Sequence, residues 1–320
     1  MAGAEALVTG EHDDITLLGL WASPFVIRAR IVLNLKGLAY NYTEEDIYSK
    51  SELLLRSNTV HKKVPVLIHN GKPVCESKII VEYLDEAIPA INSGGVPILP
   101  ADPYDRAVAR FWASYVDDKL FCTWLPVFSG RTNEERVEAA RQVVPVLQTL
   151  EKEAFKECSK ANQHGQEEVM FFGGDTIDLV DVVLGSLLGW LHATETICGV
   201  KVIDGAKMPV LAAWAERFQA LDGVKGLIPD AERLTEYNMD LHPLLPTVDS
   251  KKTKDAAALQ IHTIDPSPGR PAAPLRPLEM GSACRALHVE ERTRGQSRQL
   301  LVDSGEEGGS SHPVPWAIVC

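Results

Sequence analysis

Periodic order along the chain begins at Ile15. Residues 15–20 form a mainly apolar run, the pattern of a buried strand. Residues 24–36 follow with apolar positions at helical spacing and stop at Gly37. A more polar strand is expected over 40–45, then a short helix over 51–57 around Leu53, Leu54 and Leu55. Two β-prone runs, 64–69 and 72–75, flank Asn70-Gly71, which predicts a tight hairpin because both turn residues need positive φ. A helix over 77–86 closes this part. Past the Gly- and Pro-rich stretch 91–103 the period becomes helical, with helices expected over 104–124, 133–156, 178–194 and 209–220.

The order β-α-β-α-β-β-α implies an α/β thioredoxin-like N-terminal domain over 15–90, a mixed sheet whose last two strands form an antiparallel hairpin. A linker over 91–103 and an all-α helical domain over 104–246 follow. Residues 1–14 read as a polar, flexible extension. Past 247 the texture changes: residues 249–320 hold nine acidic and nine basic side chains, so the formal charge of −12 resides in 1–248. Trp316 is the single aromatic of that stretch. With so little to bury it cannot offset the entropy of ordering, and 247–320 is expected to be a disordered C-terminal tail.

Composition narrows the function. The chain of 320 residues is 45% hydrophobic and 24% charged, enough for two real cores. Its acidic balance argues against a nucleic-acid partner. Six cysteines without a C-x-x-C pair support neither a zinc ribbon nor a dithiol redox centre, and read as the reduced thiols of a cytoplasmic protein. The first fourteen residues lack the basic and apolar regions of a secretory signal. The most apolar run, 179–193, is too short to span a bilayer and carries Asp181. Neither a metal nor a membrane is expected.

Trp21-Ala22-Ser23-Pro24-Phe25 stands where the first strand meets the first helix, with Pro24 at the favoured first helical position. Dithiol proteins of this architecture place a cysteine in that corner, where unpaired N–H groups and the helix dipole lower its pKa. A serine cannot exchange disulfides, but its hydroxyl can donate a hydrogen bond to a ligand's thiolate. Helix capping explains Ser23 alone equally well. Val64-Pro65 enters the hairpin with a proline that marks a turn or a cis bond, leaving the Val64 backbone free to pair with an extended peptide. Ser77 is expected as an N-cap whose helix N-terminus receives a carboxylate, with Glu76 accepting an ammonium group. Lys50, Lys62 and Lys63 add point charges for a further carboxylate. Singly, these are a cap, a strand start and solvated lysines. Together they describe glutathione.

Those residues also carry a resemblance. Residues 15–245 resemble a glutathione transferase of the plant tau class, through 21–25, His61-Lys62-Lys63-Val64-Pro65-Val66-Leu67, Asn70-Gly71-Lys72-Pro73 and Glu76-Ser77. Asp102-Pro103-Tyr104 and Ala109-Arg110-Phe111-Trp112-Ala113 extend it into the helical part. The resemblance implies a serine-type enzyme in which Ser23 activates glutathione, a cosubstrate rather than a bound cofactor. Lys50, Lys63, Val64, Pro65, Glu76 and Ser77 would hold the tripeptide, Pro65 would be cis, and the protein would be a homodimer. Phe25, Trp112, Tyr115 and Lys119 resemble the apolar electrophile pocket, the last three at i, i+3 and i+7 of one helix; the aromatics read equally as core. Cys122, a further i+3 step, lines the same face or is an inert thiol. One departure is Asp178, where the class usually has Gly; as an N-cap it should be tolerated.

The reaction implied is attack by the glutathione thiolate on hydrophobic electrophiles, giving a thioether, in detoxification and stress response, with peroxidase activity on the side. A thiol reductase is disfavoured by serine in place of cysteine, and a non-catalytic carrier of apolar or anionic molecules stays open.

Overall fold

In the computed structural model, which describes residues 14–88, 96–155 and 170–241, strand β1 (Ile15–Gly19) sits inside a four-stranded sheet ordered β2-β1-β3-β4. β2 (Asn41–Glu44) runs parallel to β1, while β3 (Val66–His69) runs antiparallel to both β1 and β4 (Lys72–Cys75). Leu17 and Leu18 lie on opposite faces of β1 and neither is exposed, which is what two consecutive apolar residues in a strand demand. At the hairpin Asn70 and Gly71 take φ of 50° and 75°, and this turn sets the pairing of Val66 with Cys75. This is the thioredoxin-like arrangement read from the element order.

Helices α1 (Pro24–Leu35), α2 (Glu52–Ser57) and α3 (Ser77–Ala87) complete this part. A Cβ at Gly19 would come within 2.5 Å of Val26 and 2.9 Å of the Tyr42 ring, so β1, α1 and β2 approach closely only because that residue is glycine. α1 ends as its sequence requires: Gly37 takes φ of 65° and the N–H groups of Gly37 and Leu38 donate to Asn34 and Leu33 carbonyls. Asp85 of α3 accepts the N–H groups of Ile98 and Leu99 and pairs with the buried Lys36 at 2.9 Å, tying the chain that enters the helical region to the sheet region.

The helical region contains α4 (Pro103–Tyr115), α5 (Cys122–Ser129), α6 (Asn133–Thr149), α7 (Leu179–Gly185), α8 (Leu188–Cys198), α9 (Pro209–Ala220) and α10 (Ala231–Leu241). α4 passes into α5 through a π-helical turn, Val116–Phe121, and α6 ends in a second, Leu150–Ala154. The expected 104–124 helix thus runs on to Ser129. The expected 178–194 helix is two: the Ser186 hydroxyl donates to the Val183 carbonyl at 2.8 Å, and α8 restarts two residues later. Helix α10 was not predicted, because its inward stripe is thin, Leu234 and Leu241 with the polar Thr235 and Asn238 between them.

Asp178 caps α7 as expected, accepting from the N–H groups of Val180 and Asp181. Asp181 reaches back to accept from Asp178 and also from Phe172, Gly173 and the Trp214 indole at 2.7 Å. Burial pushes both carboxyls up; the four N–H donors oppose it at Asp181, while the neighbouring Asp181 charge drives Asp178 well above the usual carboxylate range. Expectations for 1–13, for 89–90 at the end of the first domain, for 91–95 of the linker, for the end of the 133–156 helix and for 242–320 lie outside the described residues. Among the described residues no helix is long and apolar enough to cross a membrane.

Candidate active site

The pairing register brings the chemistry-bearing segments to one end of the sheet. β1 finishes at Gly19, opposite Glu44 at the end of β2, while Val66 at the start of β3 pairs with Cys75 at the end of β4. The 20–23 corner, the Lys50 loop, Val64-Pro65 and Glu76-Ser77 therefore leave the sheet on the same side.

Ser23 is the N-cap of α1, fully buried, with extended backbone and Pro24 at the first helical position. Its Oγ accepts from the Val26 N–H at 3.4 Å, which leaves the O–H able to donate elsewhere. The corner is held from three directions. Ser23 N–H donates to the Leu20 carbonyl, Trp21 N–H to Glu44 Oε1 at 2.9 Å, and the Trp190 indole of α8 to the Ala22 carbonyl at 2.8 Å.

Val64-Pro65 is cis, and Val64 is buried. Glu76 stands in the left-handed region at φ 75° with its side chain 57% exposed, so it faces solvent rather than α3. Here one expectation is corrected. Ser77 is not the N-cap; it is the first residue of α3, Glu76 holds the cap position without a side-chain bond, and the buried Ser77 hydroxyl accepts from Arg28 at 3.2 Å. The physical reason lies elsewhere in the chain: a guanidinium that α1 buries beneath this corner. Lys50 and Lys63 are half-buried and Lys62 is exposed with φ 54°. Cys75 is the cysteine next to this group; burial, then the Glu76 charge, pushes its thiol up, away from nucleophilic character.

Arg28 has no solvent exposure and joins four segments. It donates to Ser186 between α7 and α8, to Ser77 of α3, and through both terminal nitrogens to Asp117, at 2.6 and 3.3 Å. Its guanidinium also lies 4.7 Å over the Phe25 ring. Asp117 binds Lys78 at 3.0 Å as well. Burial acts to raise Asp117, but the Arg28 and Lys78 charges outweigh it and hold this carboxyl below its usual range.

Beside Ser23 opens a narrow apolar cleft. Ala22 and Pro24, the two neighbours of Ser23, form part of its wall; Phe121, Trp124, Phe128 and Trp190 supply aromatic faces, and Tyr237 comes from α10. The four residues expected to form this pocket, Phe25, Trp112, Tyr115 and Lys119, do not line it. Phe25 lies behind the wall, edge-on to Phe121 at 5.1 Å. Trp112 is buried and packs edge-on against Tyr115 and Phe111. The π-helical turn begins one residue after Tyr115, so the i, i+3, i+7 count that put Lys119 and Cys122 on the face of Trp112 crosses a change of helical pitch. Trp190 lies within the expected 178–194 helix, and Tyr237 lies in α10, outside the expected helices. A signal for it existed: Asp230 caps α10 by accepting from Arg233, and Leu234, Tyr237 and Leu241 follow at i, i+3 and i+7. No group of His, Cys, Asp and Glu that could hold a metal occurs among the described residues.

Residues 13–86 match the family model for the glutathione S-transferase N-terminal domain. Over 230 residues, 71% of this chain and 94% of the relative, the sequence is 52% identical to a probable glutathione S-transferase, GSTU6, of Oryza sativa subsp. japonica. Glutathione S-transferase U18 of Arabidopsis thaliana is 47% identical over 231 residues, 72% of this chain and 97% of the relative. Among solved structures, a tau class glutathione S-transferase from mango matches with TM-score 0.63 and 47% identity, covering 71% of this chain and 98% of its own. A rice transferase crystallised in complex with glutathione matches with TM-score 0.63 and 36% identity, covering 74% of this chain and all of its own.

Proposed function

This chain belongs to the glutathione S-transferase family and resembles its plant tau class, and from that premise we propose that Ser23 stabilises the glutathione thiolate for attack on hydrophobic electrophiles. The observation that carries this reading is the position of Ser23: an N-cap hydroxyl with its proton free, between two residues that wall an apolar cleft. A thiolate set there meets the hydroxyl and the positive end of the α1 dipole. Each favours the anion over the thiol, so glutathione is nucleophilic near neutral pH, and shared binding makes the encounter intramolecular.

The tripeptide lies along the same end of the sheet. The Val64 backbone, fixed by cis Pro65, pairs with the cysteinyl residue. Glu76, aimed outward, accepts the γ-glutamyl ammonium; Ser77 and the start of α3 take its carboxylate. Lys50 and Lys63 balance the glycine carboxylate. Proton loss from the thiol goes to solvent; sulfur forms the new bond to carbon and the leaving group or acceptor atom takes the electron pair. The work is performed in the cytoplasm in detoxification and stress response, with domains over 15–90 and 104–246. A homodimer is part of this reading, supported by the exposed Ile79 of α3 and Phe111 of α4, on helices joined by the Arg110–Glu82 pair at 2.7 Å.

Ser23→Ala tests the role of the hydroxyl. Glutathione affinity should stay within a few fold while turnover of an aryl chloride at pH 7 falls roughly 100-fold, the usual cost of one anion-stabilising donor. Turnover at the parent rate would refute the assignment. Retention on immobilised glutathione with no turnover in the parent protein would favour the carrier. A thiol reductase is disfavoured by Ser23 and by the raised Cys75 thiol.

A further inference from the structure

The loop between β2 and α2, residues 45–51, contributes to both parts of the site. Ile47 is buried and lines the apolar cleft beside Ser23. Three residues on, Lys50 stands half-buried at the end of the sheet assigned to the tripeptide. One short span of chain therefore serves the electrophile and glutathione at once.

A buried carboxylate fixes that span. Glu45, 3% exposed, begins the loop, and its N–H donates to the Gly19 carbonyl at the end of β1, at 2.7 Å. Its side chain accepts both donors of Ser51 at the far end of the loop, the hydroxyl at 2.6 Å and the N–H at 3.1 Å. A buried carboxylate needs such donors, and here one residue supplies two. The shorter bond has the length of an O–H donated to a carboxylate. Ser51 is in turn the N-cap of α2, its Oγ accepting from the Leu54 N–H at 3.0 Å. Glu44, the preceding residue, accepts from the Trp21 N–H at 2.9 Å. Consecutive glutamates at the end of β2 thus hold the Ser23 corner and close the 45–51 loop into a clasp.

We propose that Glu45 is a positioning residue for both substrates: its bonds to Ser51 hold Lys50 where the glycine carboxylate of glutathione is assigned and hold Ile47 in the wall of the electrophile cleft. The proposal rests on the glutathione site and the cleft assigned above. Without the clasp, the residues between Glu45 and Ser51 sample many conformations, and each substrate bears the cost of ordering them when it binds. Glu45 touches neither the sulfur nor the acceptor carbon in this scheme, so the chemical step at Ser23 proceeds as before. The signature is a rise in both KM values with kcat held.

The test compares the parent with Glu45→Ala, Lys50→Ala and the double variant, varying glutathione and 1-chloro-2,4-dinitrobenzene in turn. Glu45→Ala should raise KM for both substrates by about tenfold, the scale of ordering one long side chain on binding, with kcat within about threefold. Lys50→Ala should raise KM for glutathione alone. The double variant should match Lys50→Ala in glutathione KM to about twofold, because Glu45 acts on the tripeptide through that lysine; independent effects would multiply. Glu45→Gln keeps an oxygen for Ser51 and should raise both KM values by only about threefold; it carries the test if the alanine variant does not fold. Glu45 variants that lower Tm with both KM values unchanged, raise one KM without the other, or lose kcat instead overturn the proposal, as does multiplication in the double variant. Lys50→Ala with the parent's KM for glutathione would overturn the tripeptide assignment itself, and the proposal with it.

Discussion

Asp117→Asn removes one negative charge from the point where the helical region meets the sheet region, and its cost follows from what surrounds it. The partner Arg28 is wholly buried and donates to Asp117 at 2.6 and 3.3 Å; without that charge it faces only neutral acceptors, the Ser77 and Ser186 hydroxyls and the amide oxygen of the variant. Breaking a buried ion pair from one side costs about 3–5 kcal/mol, mostly the penalty of the abandoned charge. Lys78, the second partner, is 34% exposed and recovers water, so its loss adds about 1 kcal/mol at most. Against a total stability of about 5–15 kcal/mol this is a large fraction. At about 2–4 °C per kcal/mol for a chain of this size, Tm should fall by about 6–20 °C. Thermal unfolding followed by circular dichroism, with urea titration alongside, gives the value. The gap between parent and variant should close in acid: a carboxyl held below its usual range contributes stability above the ordinary carboxylate pKa and loses it as pH falls through the folded-state value. The double variant Arg28→Met, Asp117→Leu should recover most of the loss, because no charge is then left buried. A loss under about 1 kcal/mol for Asp117→Asn would refute this reasoning, since surface pairs already reach that figure.

Two further outcomes are expected. Asp178→Asn keeps an oxygen for the Val180 and Asp181 N–H groups and removes a carboxyl held well above 3.8 by burial and by Asp181. A folded-state value above the unfolded one means stability present in acid and lost as pH rises through the folded value, so the variant should gain on the parent from pH 5 to pH 8 in melting experiments; a difference constant with pH would contradict this. Trp190→Phe leaves the buried Ala22 carbonyl without its donor, a loss of about 1–3 kcal/mol, and loosens the corner beside Ser23. Its KM for an aryl chloride should rise several-fold, and an unchanged KM with unchanged Tm would show that the indole bond does not hold the corner.

What could be read from the chain is what neighbours in sequence decide. The Ser23-Pro24 cap and first position, the Asn70-Gly71 turn, the Gly37 stop and the Asp178 cap each depend on groups a few residues apart, so their chemistry is visible in order along the chain. Motifs at the same end of three strands could be matched to one tripeptide because strand pairing leaves little freedom once the hairpin is fixed. Ser77 shows the limit. Its type and place suggested a cap, yet its hydroxyl is taken by Arg28, 49 residues away.

The sequence by itself determined the thioredoxin-like order, the helical region after it, and a serine where a reactive cysteine would otherwise stand. Tertiary structure alone decided what faces that serine. Arg28 reaches Asp117 across 89 residues and Ser186 across 158; Trp190 reaches Ala22 across 168, and Tyr237 arrives from a helix whose polar sequence concealed it. Phe121 and Trp124, at the end of the π-helical turn and just after it, line the wall, and the pitch change at Val116 breaks the spacing that had joined Lys119 to Trp112. Local signals fix the elements because backbone hydrogen bonds and caps close over a few residues. The cleft depends on how aromatic faces pack between helices far apart in the chain, and no periodicity records that.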